Sequence, residues 1–302
     1  MSSRTDNRHR VATICREATG LPHRTCLDWA EAGLITRHRP VPDAAHPAQR
    51  AFEARVALIA GDAFRDGQLD GAVFGVVAAA PTAGGLSLRL HERMARRVVA
   101  ELLPRLDEGY GGLRGVPGLR VTADRQGLAL RDADGGGFIR IQESLGSWRL
   151  PDDGDGLRYV GRIALRAPHA AEQEELHRWT RTVMAGPDPV SRDHLLSRLL
   201  RRPGLVNRTG KTHGWVNSYC HQYQDLVLEW CCAPDAPAME QRLRRSGLAA
   251  PPEGAPPEPE VPAGRPGVIG LGRAEVTVRC MDFEHAGGEI AEITASIERR
   301  YA

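Results

Sequence analysis

Lysine is almost missing from this chain: Lys211 is the only one among 40 basic residues, and the rest are arginine. The bias covers the whole sequence and reads as a coding preference, so arginine abundance by itself marks no phosphate site. Net charge is missing too. The 40 basic residues face 38 acidic ones, which excludes a strong global field drawing the chain toward nucleic acid or membrane; any such attraction must come from a local patch. Long apolar runs are absent. The longest, AVFGVVAAAP from Ala72 to Pro81, falls well short of the roughly 20 residues that cross a bilayer. The opening MSSRTDNRHRVATICREATG carries charges where a secretory signal needs an uninterrupted apolar run, so export by that route is not expected. The six cysteines, at 15, 26, 220, 231, 232 and 280, are too scattered for a disulfide framework and fit buried, reduced thiols. A cytoplasmic protein without a membrane partner is the expectation.

What is present is enough to fold. A chain of 302 residues with 41% hydrophobic content can bury a substantial core in about two units. Residues 10 to 40 read as two short helices separated by Gly20, and Ala48 to Phe64 as a third, with Phe52, Val56, Ile59 and Ala63 near helical spacing. LSLRL after Gly84-Gly85 alternates as a strand. His91 to Leu106 puts Met94, Val98, Leu102 and Leu106 on one stripe of an amphipathic helix, with Pro104 near its end.

From Gly109 to Arg166, short alternating runs (119 to 122, 128 to 131, 138 to 142, 159 to 165) sit between glycine-rich turns and predict an antiparallel meander. DADGGG at 132 to 137 and DDGDG at 152 to 156 lack the oxygen-ligand spacing of a calcium loop and read as hairpin turns. Helices follow at 170 to 184, 191 to 201 and 237 to 246, with a strand at 226 to 232. AAPPEGAPPEPEVPAGRP, residues 249 to 266, is a linker or loop by composition. A strand at 274 to 280 and a helix at 289 to 299 close the sequence.

The fold class expected is therefore α+β: an N-terminal helix-turn-helix unit, then a mixed domain with an antiparallel sheet and flanking helices. The divisions are 1 to 70 for the helical unit, 71 to 248 for the α+β domain, 249 to 266 for the linker, and 267 to 302 for a strand and helix packing on that domain.

The segment TICREATGLPHRTCLDWAEAGLITRHR resembles the helix-turn-helix of the mercury-resistance-regulator (MerR) type of DNA-binding regulator, through Gly20, Leu21, Arg24, Thr25, Trp29, Glu31, Gly33, Leu34 and Ile35. No family is recognised in the rest of the chain. The resemblance implies double-stranded DNA as partner and a role in transcription regulation, with a C-terminal domain for ligand sensing or assembly. It also implies pairing of two chains through a long helix, for which His91 to Leu106 is the one candidate. His23 and Arg24 would project from the start of the recognition helix, and Arg37 and Arg39 would lie where a wing meets phosphate.

A second region is rich in functional groups. GLVNRTGKT, residues 204 to 212, nearly spells a phosphate-binding loop, but five residues stand where four are needed, and a helix rather than a strand precedes it. Just after it, His213, Trp215, Asn217, Tyr219 and His221 alternate, so an extended backbone would put them on one face. Lys211, His213, Trp215, Tyr219, Cys220 and His221 are the candidates for a ligand site, or for an enzyme acting on nucleic acid or a nucleotide. Catalytic residues are not assignable from sequence. Cysteine and histidine are not paired at knuckle spacing, so neither metal nor other cofactor is expected. A non-catalytic adaptor is the third reading.

Overall fold

The structure, a computed structural model, describes residues 4–63, 72–92, 95–124, 127–142, 151–154, 156–161, 167–181, 189–205, 216–221, 225–231, 236–250, 268–271 and 274–281. The chain opens with α1 (Arg4–Thr19) and α2 (His23–Glu31). Gly20 divides them at φ 73°, its N–H donating to the Arg16 carbonyl at 2.9 Å, a left-handed stop that glycine adopts without steric cost. α2 ends on a Schellman cap. The Leu34 amide donates to the Trp29 carbonyl at 2.9 Å and the Gly33 amide to that of Ala30 at 3.3 Å. Val11, Ala12, Cys15, Cys26, Leu27, Ala30 and Ile35 form a small core between the two helices. Cys15 and Cys26 are both buried free thiols within it.

Next come α3 (Pro47–Ala63), β1 (Val76–Thr82), β2 (Gly85–Leu90), α4 (Ala95–Leu102), β3 (Arg105–Asp107), β4 (Gly112–Arg114), β5 (Leu119–Asp124), β6 (Gly127–Asp132), β7 (Phe138–Ile141) and β8 (Leu157–Tyr159). They are followed by α5 (Ala170–Thr180), α6 (Pro189–Leu200), β9 (Val216–His221), β10 (Asp225–Cys231), α7 (Ala236–Arg245), β11 (Val268–Leu271) and β12 (Ala274–Met281). The class is α+β. Three sheets run in the orders β1-β2-β7-β6-β5, β4-β3-β8 and β11-β12-β10-β9. The meander is antiparallel across β5, β6 and β7, yet β7 joins β2 in parallel, and β10 joins β12 in parallel. Two of the three sheets are therefore mixed, because long connections return the chain beside strands made much earlier, while β4-β3-β8 is antiparallel throughout.

DADGGG links β6 to β7 as a hairpin turn, with Gly135 at φ 77°. The expected helix from His91 to Leu106 is corrected to eight residues, Ala95–Leu102, with Leu106 in β3. Pro104 has no amide hydrogen and disfavours helix at the residue before it. Arg105 then folds back, its Nη1 donating to the Ala100 and Glu101 carbonyls at 3.1 Å each and capping the helix end. Ala95, Val98, Val99 and Leu102 are buried in the core, so α4 offers no long exposed helix through which two chains could pair. Residues 251–267, most of the proline-rich stretch, and the helix expected at 289 to 299 lie outside the described residues.

One main core runs from Val41 and Phe52 through Leu88, Leu130 and Leu196 to Val278. α3 packs against α6 within it, so the line drawn at residue 70 does not divide two cores. Ionic groups reinforce this helical layer. Glu53, fully buried, accepts from Gln49 Nε2 at 2.6 Å, Ser197 Oγ at 2.6 Å, and Arg201 Nε and Nη2 at 2.7 and 2.6 Å. Arg201 Nη1 donates onward to the Pro42 and Thr82 carbonyls at 2.9 and 2.8 Å. Asp43 takes Arg198 Nη2 at 2.8 Å and Arg202 Nη2 at 3.5 Å.

Candidate functional site

The helical pair is fixed firmly to the body. A Cβ on Gly20 would lie 2.5 Å from the Val77 carbonyl oxygen of β1. One on Gly204, in the short turn Pro203–Leu205, would meet the Glu17 carbonyl at 2.5 Å and the Gly20 amide at 2.8 Å. The turn between α1 and α2 is thus wedged between a strand and the segment after α6, and only glycines permit so close an approach. Within the small core, hydrogen bonding to Cys26 and burial push the Cys15 thiol up, while the same contact with Cys15, aided by Thr19 and Arg16, holds Cys26 below the ordinary thiol range.

The outer face of α2 is exposed at Pro22, Arg24, Asp28 and Glu31. Arg24 Nε lies 3.0 Å from Asp28 Oδ1, with the two side chains 77% and 50% exposed. A pair so open to water is worth little, and Arg24 can exchange Asp28 for another anion. With Glu31 included, however, the face carries two carboxylates to one guanidinium. His23 is half-buried and stacks on His9 of α1, ring centroids 5.8 Å apart and planes 13° from parallel. That contact braces α2 against α1 and limits how far the imidazole reaches outward.

After α2 the chain makes a tight turn. The amides of Thr36 and Arg39 donate to each other's carbonyls at 2.9 and 3.1 Å, which leaves Arg37 and His38 at the tip. Arg37, His38 and Arg39 are all exposed. The structure thus sets Arg37 and Arg39 on one small projecting turn, and His23 with Arg24 at the start of the neighbouring helix.

Beside that turn lies a cleft of about 300 Å³. Asn7, Arg10, Val11 and Ile14 of α1 form one wall, Arg37 and His38 a second, and Arg244, Arg245, Gly247 and Ala250 at the end of α7 a third. Asp and Glu are absent from its described lining. Arg10, His38, Arg244 and Arg245 were not foreseen from sequence. The run RLRR in α7 has the look of cations placed near a helix C-terminus, and only tertiary packing brings residues 10, 37 and 245 together. A second cavity, lined by Arg55, Ile59, Pro117, Glu175 and Trp179, holds about 10 Å³, too little for more than a water.

The other candidate region divides. Lys211, His213 and Trp215 lie outside the described residues. Tyr219, Cys220 and His221 fall on β9, an edge strand whose register sets them opposite Val227, Leu226 and Asp225 of β10. β9 also packs against α3. No described helix is long and apolar enough to cross a membrane. No protein-family model, curated protein or solved structure matches the chain.

Proposed function

We propose that this protein binds double-stranded DNA through the α1–α2 pair and the turn that follows it, as a regulator of the MerR type would, with the α+β body serving ligand sensing or assembly. The observation that carries the reading is the Thr36–Arg39 turn: it projects beside α2 and holds exposed Arg37 and Arg39 where a wing would meet a phosphate backbone. Two further features agree with it. α2 rests on a small core of its own with its outer face uncovered, and the turn before it is anchored to β1, giving a rigid support for docking.

Asp28 and Glu31 shape the proposal. Carboxylates on the outer face of α2 repel phosphate, so the backbone contacts fall mainly to Arg37 and Arg39, with Arg24 contributing only when it leaves Asp28. The test is binding of the full-length protein to a fluorescently labelled duplex between 50 and 200 mM salt. Each phosphate contact adds close to one unit to the slope of log affinity against log salt. The Arg37→Ala/Arg39→Ala double variant should therefore lose roughly two units of slope. Affinity independent of salt, no binding, or an unchanged slope in that variant would overturn the proposal.

A further inference from the structure

We infer that the cleft between α1, the Thr36–Arg39 turn and the end of α7 is a binding site for a phosphate-bearing ligand, with Arg10, Arg37 and Arg245 as its cationic contacts. This goes beyond DNA docking and does not require α2 to enter a groove. Three elements far apart in sequence each bring a guanidinium to one opening. Among the described residues, Arg10, Arg37 and Arg245 have no carboxylate partner, whereas neighbouring Arg244 is held by Glu240 at 2.8 Å and is not counted. Like charges gathered at one cleft repel, and a dianion between them relieves that repulsion while accepting several charge-assisted hydrogen bonds.

The wall behind the cleft adds to the field. A Cβ on Gly247, which lines the opening, would sit 3.8 Å from Arg202 Nη2. Arg202 is buried beneath, donating to the Ser246 carbonyl at 3.1 Å. With Arg198 and Arg201 it makes three guanidinium groups sharing the two carboxylates of Asp43 and Glu53. Burial pulls Arg202 down to about 10, against the opposing pull of Asp43, so it remains charged at neutral pH. A cation beneath the wall is screened less than one in water.

The volume lies at the lower end of small-ligand sites, roughly 300–1,000 Å³, and exceeds what a single phosphate fills. Val11 and Ile14 supply an apolar floor. The site therefore suits a phosphate joined to a less polar body. Both a free organic phosphate and a backbone phosphate of bound DNA have that chemistry, and they are separable by experiment.

Pyrophosphate is the probe, titrated calorimetrically into the full-length protein at low ionic strength, with its effect on Tm followed in parallel. The wild type should bind and gain stability. Arg10→Ala/Arg245→Ala should bind at least tenfold more weakly and lose the Tm gain, whereas Arg89→Ala, on an exposed position of β2, should match the wild type. If the double variant also loses duplex affinity, the phosphate is that of DNA; if duplex affinity is unchanged, the ligand is a free phosphate compound. Both results support the site. Wild-type protein that binds no pyrophosphate at about 1 mM, or a double variant that binds it as well as the wild type, overturns the inference. Failure here with salt-dependent duplex binding intact leaves DNA docking standing, and loss of duplex binding alone leaves the cleft standing.

Discussion

Replacing Glu53 by glutamine keeps its volume and removes its charge. In the native protein the carboxylate accepts from Gln49, Ser197 and both Nε and Nη2 of Arg201, all at 2.6 to 2.7 Å, and neither Glu53 nor Arg201 has any side-chain exposure. An amide in its place must turn its NH₂ toward an Arg201 N–H in either orientation, and it leaves the Arg201 guanidinium without its counter-charge. Breaking a buried pair from one side costs about 3–5 kcal/mol. That is a large part of the roughly 5–15 kcal/mol by which domains are stable. Arg201→Met should cost at least as much, because the Pro42 and Thr82 carbonyls also lose their donor. The double variant Glu53→Leu/Arg201→Met should lose clearly less than the sum of the single losses, since no lone charge remains. Urea unfolding followed by tryptophan fluorescence measures each step. A loss below about 1 kcal/mol for Glu53→Gln would mean that water reaches this pair, and the account of the α3–α6 layer would be wrong.

Gly20 and Gly33 both sit at φ 73°, but a Cβ meets the Val77 carbonyl at Gly20 and nothing within 4 Å at Gly33. Gly33→Ala should therefore cost about 1–2 kcal/mol of backbone strain, and Gly20→Ala should add about 1–3 kcal/mol of overpacking; equal losses in urea unfolding would refute the wedge. Acid should destabilise the protein through Glu172 and Asp43. Burial raises Glu172, but Arg120 and the amides of His169 and Gly118 pull it below the ordinary carboxylate range; Asp43 is likewise raised by burial and pulled lower by Arg202 and Arg198. Their stabilisation is full above the unfolded values near pH 4 and is lost as pH falls through the lower native ones. Asp193, raised by burial against the pull of Arg192, works in the opposite direction. Unfolding free energy should fall below about pH 4, with a shallower fall in Glu172→Gln; identical pH profiles would count against the Arg120–Glu172 contact.

Local chemistry was legible in the sequence, and long-range pairing was not. The stops at Gly20 and Gly33, the helix ending in Ala63 and the hairpin at DADGGG follow from glycine conformations and residue spacing. Spacing alone carries the helix through Leu106, which continues the apolar stripe, and gives too little weight to Pro104. The parallel pairing of β10 with β12 crosses the proline-rich stretch, where nothing in the intervening residues encodes register. Local pattern offers His23, Arg24, Arg37 and Arg39 as candidates. It does not offer Arg10 and Arg245, because each lies on a helix where arginine is ordinary, and their grouping depends on residues more than two hundred positions away.

The ion pairs of α3 and α6 also bear on how the protein is made. Asp43 and Glu53 emerge from the ribosome early, while Arg198, Arg201 and Arg202 are synthesised some 150 residues later. Until then two acidic groups destined for the interior have no counter-charge, and dehydrating them alone is prohibitive. Pairing of these carboxylates in the interior therefore has to wait until Arg198, Arg201 and Arg202 have left the ribosome.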